Sequence, residues 1–306
     1  MLKSVTMAVG TSEQDQPAEL KQSDAGWISA IVERLEADLK AAFTAPSGDR
    51  DEAYQIALCR GLSTLFPERI GVCRGFLIDG EGGTAGDGIL LLNIERFPTL
   101  RDLGRDPSKK VGAPADAAVA YIETRASLDL RETSPSLVQA FQGVAAVRRL
   151  ARASVLPTVL SAGIEADPAP ASPLYCAIWA RDSVVGEGAM QARALELRVD
   201  SLRRGRIPRR ELPDALTAGS LLMMPVLMEE GTGRRHRRPF FMPGTDLTFT
   251  SGPRALGPAI THLAWALSFA TRETPRSSQT SSGVYARGAS DGAPSIDALP
   301  DKIRIA

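Results

Sequence analysis

The sequence is poor in the residue types that build several common kinds of site. It contains two histidines and three cysteines in 306 residues, and no two cysteines form a CxxC pair. This composition argues against a zinc cluster, a Cys–His dyad and a disulfide framework, all of which need such residues in groups. Because Cys59, Cys73 and Cys176 are isolated in apolar runs, they fit a reducing compartment, and we expect a cytoplasmic protein.

Long hydrophobic runs and a net charge are also absent. An apolar run such as residues 220–228 is far shorter than the roughly 18 residues that cross a bilayer. No apolar run follows Lys3, so we expect neither a signal peptide nor a membrane partner. Lys plus Arg and Asp plus Glu both total 36. Contact with nucleic acid would therefore depend on a local basic patch, since no global charge attracts the chain to it.

The hydrophobic pattern predicts alternating helices and strands. Gly-rich residues 80–88 read as the turn of a hairpin, and residues 96–117 as an irregular connection. This order predicts an α/β fold with a central mixed β-sheet flanked by helices, in one domain over 25–272 between disordered tails 1–24 and 273–306. The predicted helices are 27–43, 52–65, 134–152, 190–205 and 254–272, and the predicted strands are 69–79, 89–93, 118–124, 173–182 and 220–230.

One predicted strand carries an unusual pair of charges. In "VAYIETRASL", residues 119–128, Glu123 and Arg125 are two positions apart on an otherwise apolar strand. Residues at i and i+2 of a strand point to the same face, so the two side chains should lie side by side. They form either a structural ion pair or part of a site, and buried ion pairs alone do not indicate activity.

Two segments resemble a known family. "LCRGLSTLFPERIGVCRGFLIDGEGGTAGDGILLLN" and "AVAYIETRASL" resemble the DUF6602 family, bacterial and phage proteins with a PD-(D/E)xK restriction-endonuclease-like fold. The resemblance covers residues 50–152, and residues 173–270 only in the order of elements. It implies that a carboxylate on the second hairpin strand and the Glu of an E-x-K motif hold Mg²⁺, which activates water against a phosphodiester.

Carried over by position, the resemblance places Glu123 at the Glu of E-x-K and Arg125 at its Lys. Arginine keeps the positive charge but is a poor general base. The motif Asp falls on Gly88. Its neighbour Asp87 is one residue off and would face the other side of the sheet unless the strand begins later or bulges.

A further Glu of this fold, from the preceding helix, falls on Gln55, and Glu52 lies about one turn earlier. With most expected positions altered, the resemblance implies a pseudoenzyme with a degraded metal site and no cofactor. Such a protein would bind nucleic acid or a protein partner, in bacterial defence or a mobile element. The alternative is an active Mg²⁺-dependent DNase with a migrated site of Asp87 and Glu123, joined by Glu52 or Gln55.

A short basic run adds a candidate nucleic-acid contact. "GRRHRRPFF", residues 233–241, contains Arg234, Arg235, Arg237 and Arg238, which could neutralise backbone phosphates. The same run also reads as a solvated hairpin loop. A purely structural or assembly subunit remains a third alternative, and the sequence leaves the oligomeric state open.

Overall fold

The computed structural model describes residues 22–44, 50–66, 69–131, 134–153, 174–184, 189–205, 207–228, 235–238, 240, 245–251 and 255–270. Five helices and nine strands, apart from short 3-10 turns, lie in these ranges. The helices are α1 (Gln22–Thr44), α2 (Arg50–Leu65), α3 (Ser136–Ala153), α4 (Ala189–Gly205) and α5 (Leu256–Ala270). The strands are β1 (Ile70–Ile78), β2 (Thr84–Asn93), β3 (Lys110–Pro114), β4 (Ala118–Leu128), β5 (Tyr175–Ser183), β6 (Ala215–Ala218), β7 (Leu221–Met228), β8 (Arg235–Arg237) and β9 (Thr245–Ser251).

The strands form one mixed sheet in the order β3-β1-β2-β4-β5-β6-β7-β8, with β9 also paired to β7. The β1–β2, β2–β4 and β6–β7 pairs are antiparallel, whereas β3 pairs parallel with β1 and β5 pairs parallel with β4 and β6. The predicted α/β class with a central mixed sheet is therefore confirmed. No described helix has both the length and the apolar character that a membrane span requires.

Helices cover both faces of the sheet. Helices α1, α2 and α5 pack on one face, here the α2 face, against Ile89 and Leu91 of β2. Helices α3 and α4 pack on the other, the α3 face, against Leu90 and Leu92. The continuous apolar run of β2 follows from this arrangement, because alternate residues enter different cores.

The structure corrects several predicted boundaries. Strand β3 lies inside the segment predicted to be irregular, and β2 begins at Thr84 instead of residue 89. Helix α1 begins at Gln22, five residues before the predicted start. Strands β6, β8 and β9 were not predicted, because β6 and β8 are only four and three residues long and β9 is largely polar. Such segments carry little periodic signal and become strands by pairing with neighbours.

A bulge interrupts β2 beside its turn. Gly75 pairs with Gly88 while Leu77 pairs with Ala85, so β2 contains one extra residue there, at Gly86–Asp87. Gly86 has φ of 89°, a conformation that glycine adopts without strain. On sequence grounds, the Asp87 side chain requires a bulge to leave the face that strict alternation assigns to it, and the strand has one here.

Candidate functional site

The predicted Glu123–Arg125 pair forms on the α3 face. The Nη2 of Arg125 lies 2.7 Å from Oε1 of Glu123, and the Tyr121 hydroxyl donates to Oε2 of Glu123. The Glu123 side chain is 4% exposed and that of Arg125 is 31% exposed. Helix α3 approaches closely at Gly143, where an added Cβ would lie 3.0 Å from Oε2 of Glu123. The strand therefore tolerates a buried carboxylate because a tyrosine and an arginine on the same face bind it.

Burial dominates the ionisation of this carboxyl group. It raises the pKa of Glu123, while Arg125 and the Tyr121 hydrogen bond lower it less, and the charges of Asp87 and Asp51 raise it further. Burial, with the Glu123 charge next in importance, also holds the pKa of the Tyr121 phenol well above its usual value. Tyr121 thus remains a proton donor at neutral pH.

The raised pKa of Glu123 predicts a pH effect on stability. Between the usual value of 4.5 and the raised value, the folded protein binds this proton more tightly than the unfolded chain. The contribution of Glu123 to the free energy of unfolding therefore falls as pH rises through that interval. Urea unfolding from about pH 4 to about pH 8 should show Glu123→Gln becoming progressively more stable relative to wild type. A difference that is constant with pH would contradict the raised pKa.

Gln55 and Glu52 meet a different cation, on the α2 face. The Gln55 amide donates to Oγ1 of Thr124 at 2.9 Å and to the carbonyl of Asp87 at 3.1 Å. Its oxygen accepts from Nε of Arg74 at 2.7 Å, and Nη2 of Arg74 lies 3.0 Å from Oε1 of Glu52. Gln55 thus contacts the backbone of Asp87 and the residue next to Glu123, while its own oxygen is taken by Arg74.

Asp87 lies at the bulge and points its carboxylate toward β3. Nζ of Lys110 is 2.7 Å from Oδ1 and 2.8 Å from Oδ2 of Asp87. The backbone N–H of Asp87 donates to the Tyr121 hydroxyl at 3.1 Å. Lys110 was missed by the sequence analysis, because only the parallel pairing of β3 with β1 brings it near Asp87. No pattern in the local sequence indicates that pairing.

These contacts test how well the residues fit Mg²⁺. The ion requires hard oxygen ligands about 2.0–2.1 Å away in octahedral geometry. Within the described ranges, no group of three or more His, Cys, Asp and Glu side chains is arranged to hold a metal ion. Glu123 is buried against α3 while Gln55 and Glu52 belong to α2, so the ligand set implied by the resemblance is divided between two faces. In this arrangement it does not fit a magnesium centre.

The basic run lies partly outside the described residues. Arg234 is among the residues not described, and Arg235 and Arg237 belong to β8, paired with Met228 and Val226. The carbonyl of Arg238 accepts from Nε2 of His262 at 2.7 Å. Nucleic-acid contact by these four arginines stays a prediction.

The fold is similar to solved structures of NucC. The cAAA-bound form of P. aeruginosa ATCC27853 NucC matches with a TM-score of 0.54 and 14% identity, over 87% of this chain and 98% of that chain. E. coli MS115-1 NucC matches in its cAAA-bound form with a TM-score of 0.53 and 16% identity, over 85% and 93% of the two chains. Its apo form matches with a TM-score of 0.52 and 15% identity, over 86% and 98%.

These similarities, with the sheet described above, show a restriction-endonuclease-like fold. No protein-family model matches the chain, and no curated protein matches it either. The resemblance to DUF6602 therefore stays a prediction.

Proposed function

We propose that this protein is a restriction-endonuclease-like protein that binds nucleic acid without hydrolysing it efficiently. The observation that carries the proposal is the position of Glu123, the one motif residue the chain retains. Its carboxylate is buried under α3 and bonded to Tyr121 and Arg125, whereas Gln55 bonds Arg74 on the α2 face.

Metal-dependent hydrolysis needs ligands that converge on one ion and a group that assists the attacking water. Arg125 replaces the motif lysine and does not release a proton near neutral pH. The lysine that contacts Asp87, Lys110, is engaged with its carboxylate. These features together support a protein that has kept the fold of a nuclease and lost the metal site.

Nucleic acid is the partner class that the PD-(D/E)xK resemblance implies, in a bacterial defence or mobile-element setting. Cations beside the carboxylates support this choice, because they reduce the repulsion that a row of bare carboxylates would exert on phosphates. A protein partner is the competing outcome, expected if no nucleic acid binds.

A plasmid-nicking assay with Mg²⁺ and Mn²⁺ tests the proposal. We expect wild type to show no metal-dependent cleavage, and to shift DNA in a gel with an affinity that falls as salt rises. The binding assay is run with and without cAAA, because two of the similar structures are cAAA-bound forms. Glu123→Gln is the matched variant, since an amide oxygen still accepts from Tyr121.

Metal-dependent cleavage by wild type that Glu123→Gln abolishes would overturn the proposal. It would establish the alternative, an Mg²⁺-dependent DNase that uses Asp87 and Glu123. Absence of cleavage together with absence of DNA binding would instead favour a protein partner.

A further inference from the structure

We infer that protein cations bind the oxygens implied as ligands of the divalent ion, and that Lys110 is the cation that prevents Asp87 from binding metal. The inference rests on the proposed function. According to this inference, the site does not fit Mg²⁺ for two reasons: ligands have been lost, and lysine and arginine side chains supply the positive charge that the metal would have supplied.

Every residue implied as a metal ligand has an oxygen bonded to lysine or arginine. Lys110 binds Asp87 at 2.7 Å, and Arg125 binds Glu123 at 2.7 Å. Arg74 serves the other two: it donates to Gln55 at 2.7 Å and lies 3.0 Å from Glu52. Four candidate ligands therefore share three fixed cations, which come from β1, β3 and β4.

These cations compete with metal through charge. A carboxylate attracts Mg²⁺ or Mn²⁺ because its negative charge is uncompensated, and a cation at contact distance cancels much of that field. A divalent ion would also experience repulsion from the ammonium or guanidinium group already there. Removing a cation should therefore increase metal affinity, although no ligand is added.

Lys110 is the cation best suited to a test. Its side chain is 34% exposed and that of Asp87 is 65% exposed, so the pair contributes little to folding. Arg74, by contrast, is fully buried and holds several elements together. The backbone of Asp87 is bonded to Tyr121 and Gln55 independently of Lys110, so Asp87 should keep its position when Lys110 is replaced.

The experiment titrates Mn²⁺, followed by electron paramagnetic resonance, into wild type and Lys110→Met. We expect Mn²⁺ to bind Lys110→Met about threefold to tenfold more tightly than wild type. Lys109→Met is the matched control, because Lys109 is the neighbouring lysine but pairs with Asp106 at 3.7 Å. The double variant Lys110→Met with Asp87→Asn should lose the gain. Thermal unfolding midpoints verify that each variant is folded, and Lys110→Gln provides a second substitution.

Equal Mn²⁺ affinity for wild type, Lys110→Met and Lys110→Gln would overturn the inference, as would a gain that survives Asp87→Asn. Either result leaves the proposed function standing if wild type still fails to cleave DNA. Tight Mn²⁺ binding and plasmid cleavage by wild type itself would instead overturn the proposed function. The two failures are therefore distinguishable.

Discussion

Replacing Arg74 with methionine is expected to lower the free energy of unfolding by about 2–3 kcal/mol, the range for losing charge-assisted hydrogen bonds. Arg74 is fully buried, and its guanidinium donates to the carbonyls of Pro107 and Ser108 as well as to Gln55 and Glu52. Methionine fills part of the volume but leaves the buried oxygen of Gln55 without its donor, which is costly, whereas the half-exposed Glu52 can turn to water. For a domain of this size the melting temperature should fall by about 5 °C.

Urea unfolding of Arg74→Met measures this loss. Arg69→Met is the control, since Arg69 lies 3.9 Å from Glu95 and both side chains are exposed, and such pairs contribute at most about 1 kcal/mol. Arg74→Lys should recover only part of the loss, because an ammonium group cannot reproduce the planar fork of the guanidinium. Equal stability of Arg74→Met and Arg69→Met would show that the buried network does not hold α2 and the connection before β3 against β1.

Replacing Asp214 with alanine is expected to cost about 3–5 kcal/mol. Asp214 is completely buried; its carboxylate accepts from the backbone N–H of Cys176 at 2.8 Å and from the guanidinium of Arg148. The Arg148 side chain is only 11% exposed. Alanine would leave the buried guanidinium of Arg148 and the N–H of Cys176 without their acceptor. An uncompensated buried charge is among the most destabilising defects.

A double variant that removes both charges checks this prediction by urea unfolding. Asp214→Leu combined with Arg148→Met should be more stable than Asp214→Ala, because removing both charges leaves no unpaired ion. Asp246→Ala is the surface control, since Asp246 meets Arg203 at 3.5 Å with its side chain mostly exposed. A loss below about 1 kcal/mol for Asp214→Ala would contradict a buried pair and indicate that water reaches Arg148.

The sequence predicts the fold class well for a physical reason. Buried strands such as β4 and β5 and amphipathic helices such as α3 carry strong periodic patterns, and their order limits how a sheet can be built. The pairing of Glu123 with Arg125 also follows from sequence, since it depends only on strand alternation.

The arrangement of the candidate site depends on long-range pairing instead. Alternation indicates which residues share a face, but not which helix covers that face. For this reason the separation of Glu123 from Gln55 could not be predicted. Lys110 and Asp87 are 23 positions apart and meet through a five-residue strand whose sequence resembles a loop.

The bulge in β2 has a consequence for how relatives of this protein are recognised. One additional residue sits at Gly86–Asp87. The alternation of side chains between the two faces is therefore offset by one residue between the parts of the strand before and after the bulge. An alignment of the motif without a gap places its Asp on Gly88, one residue after Asp87. Comparison by motif alone therefore finds no carboxylate at that position. Deleting a single codon there would remove the bulge and restore simple alternation, with Ala85 and Thr84 still opposite Leu77 and Ile78. The change would therefore spare the rest of the strand and alter only the direction in which the residue at the bulge projects.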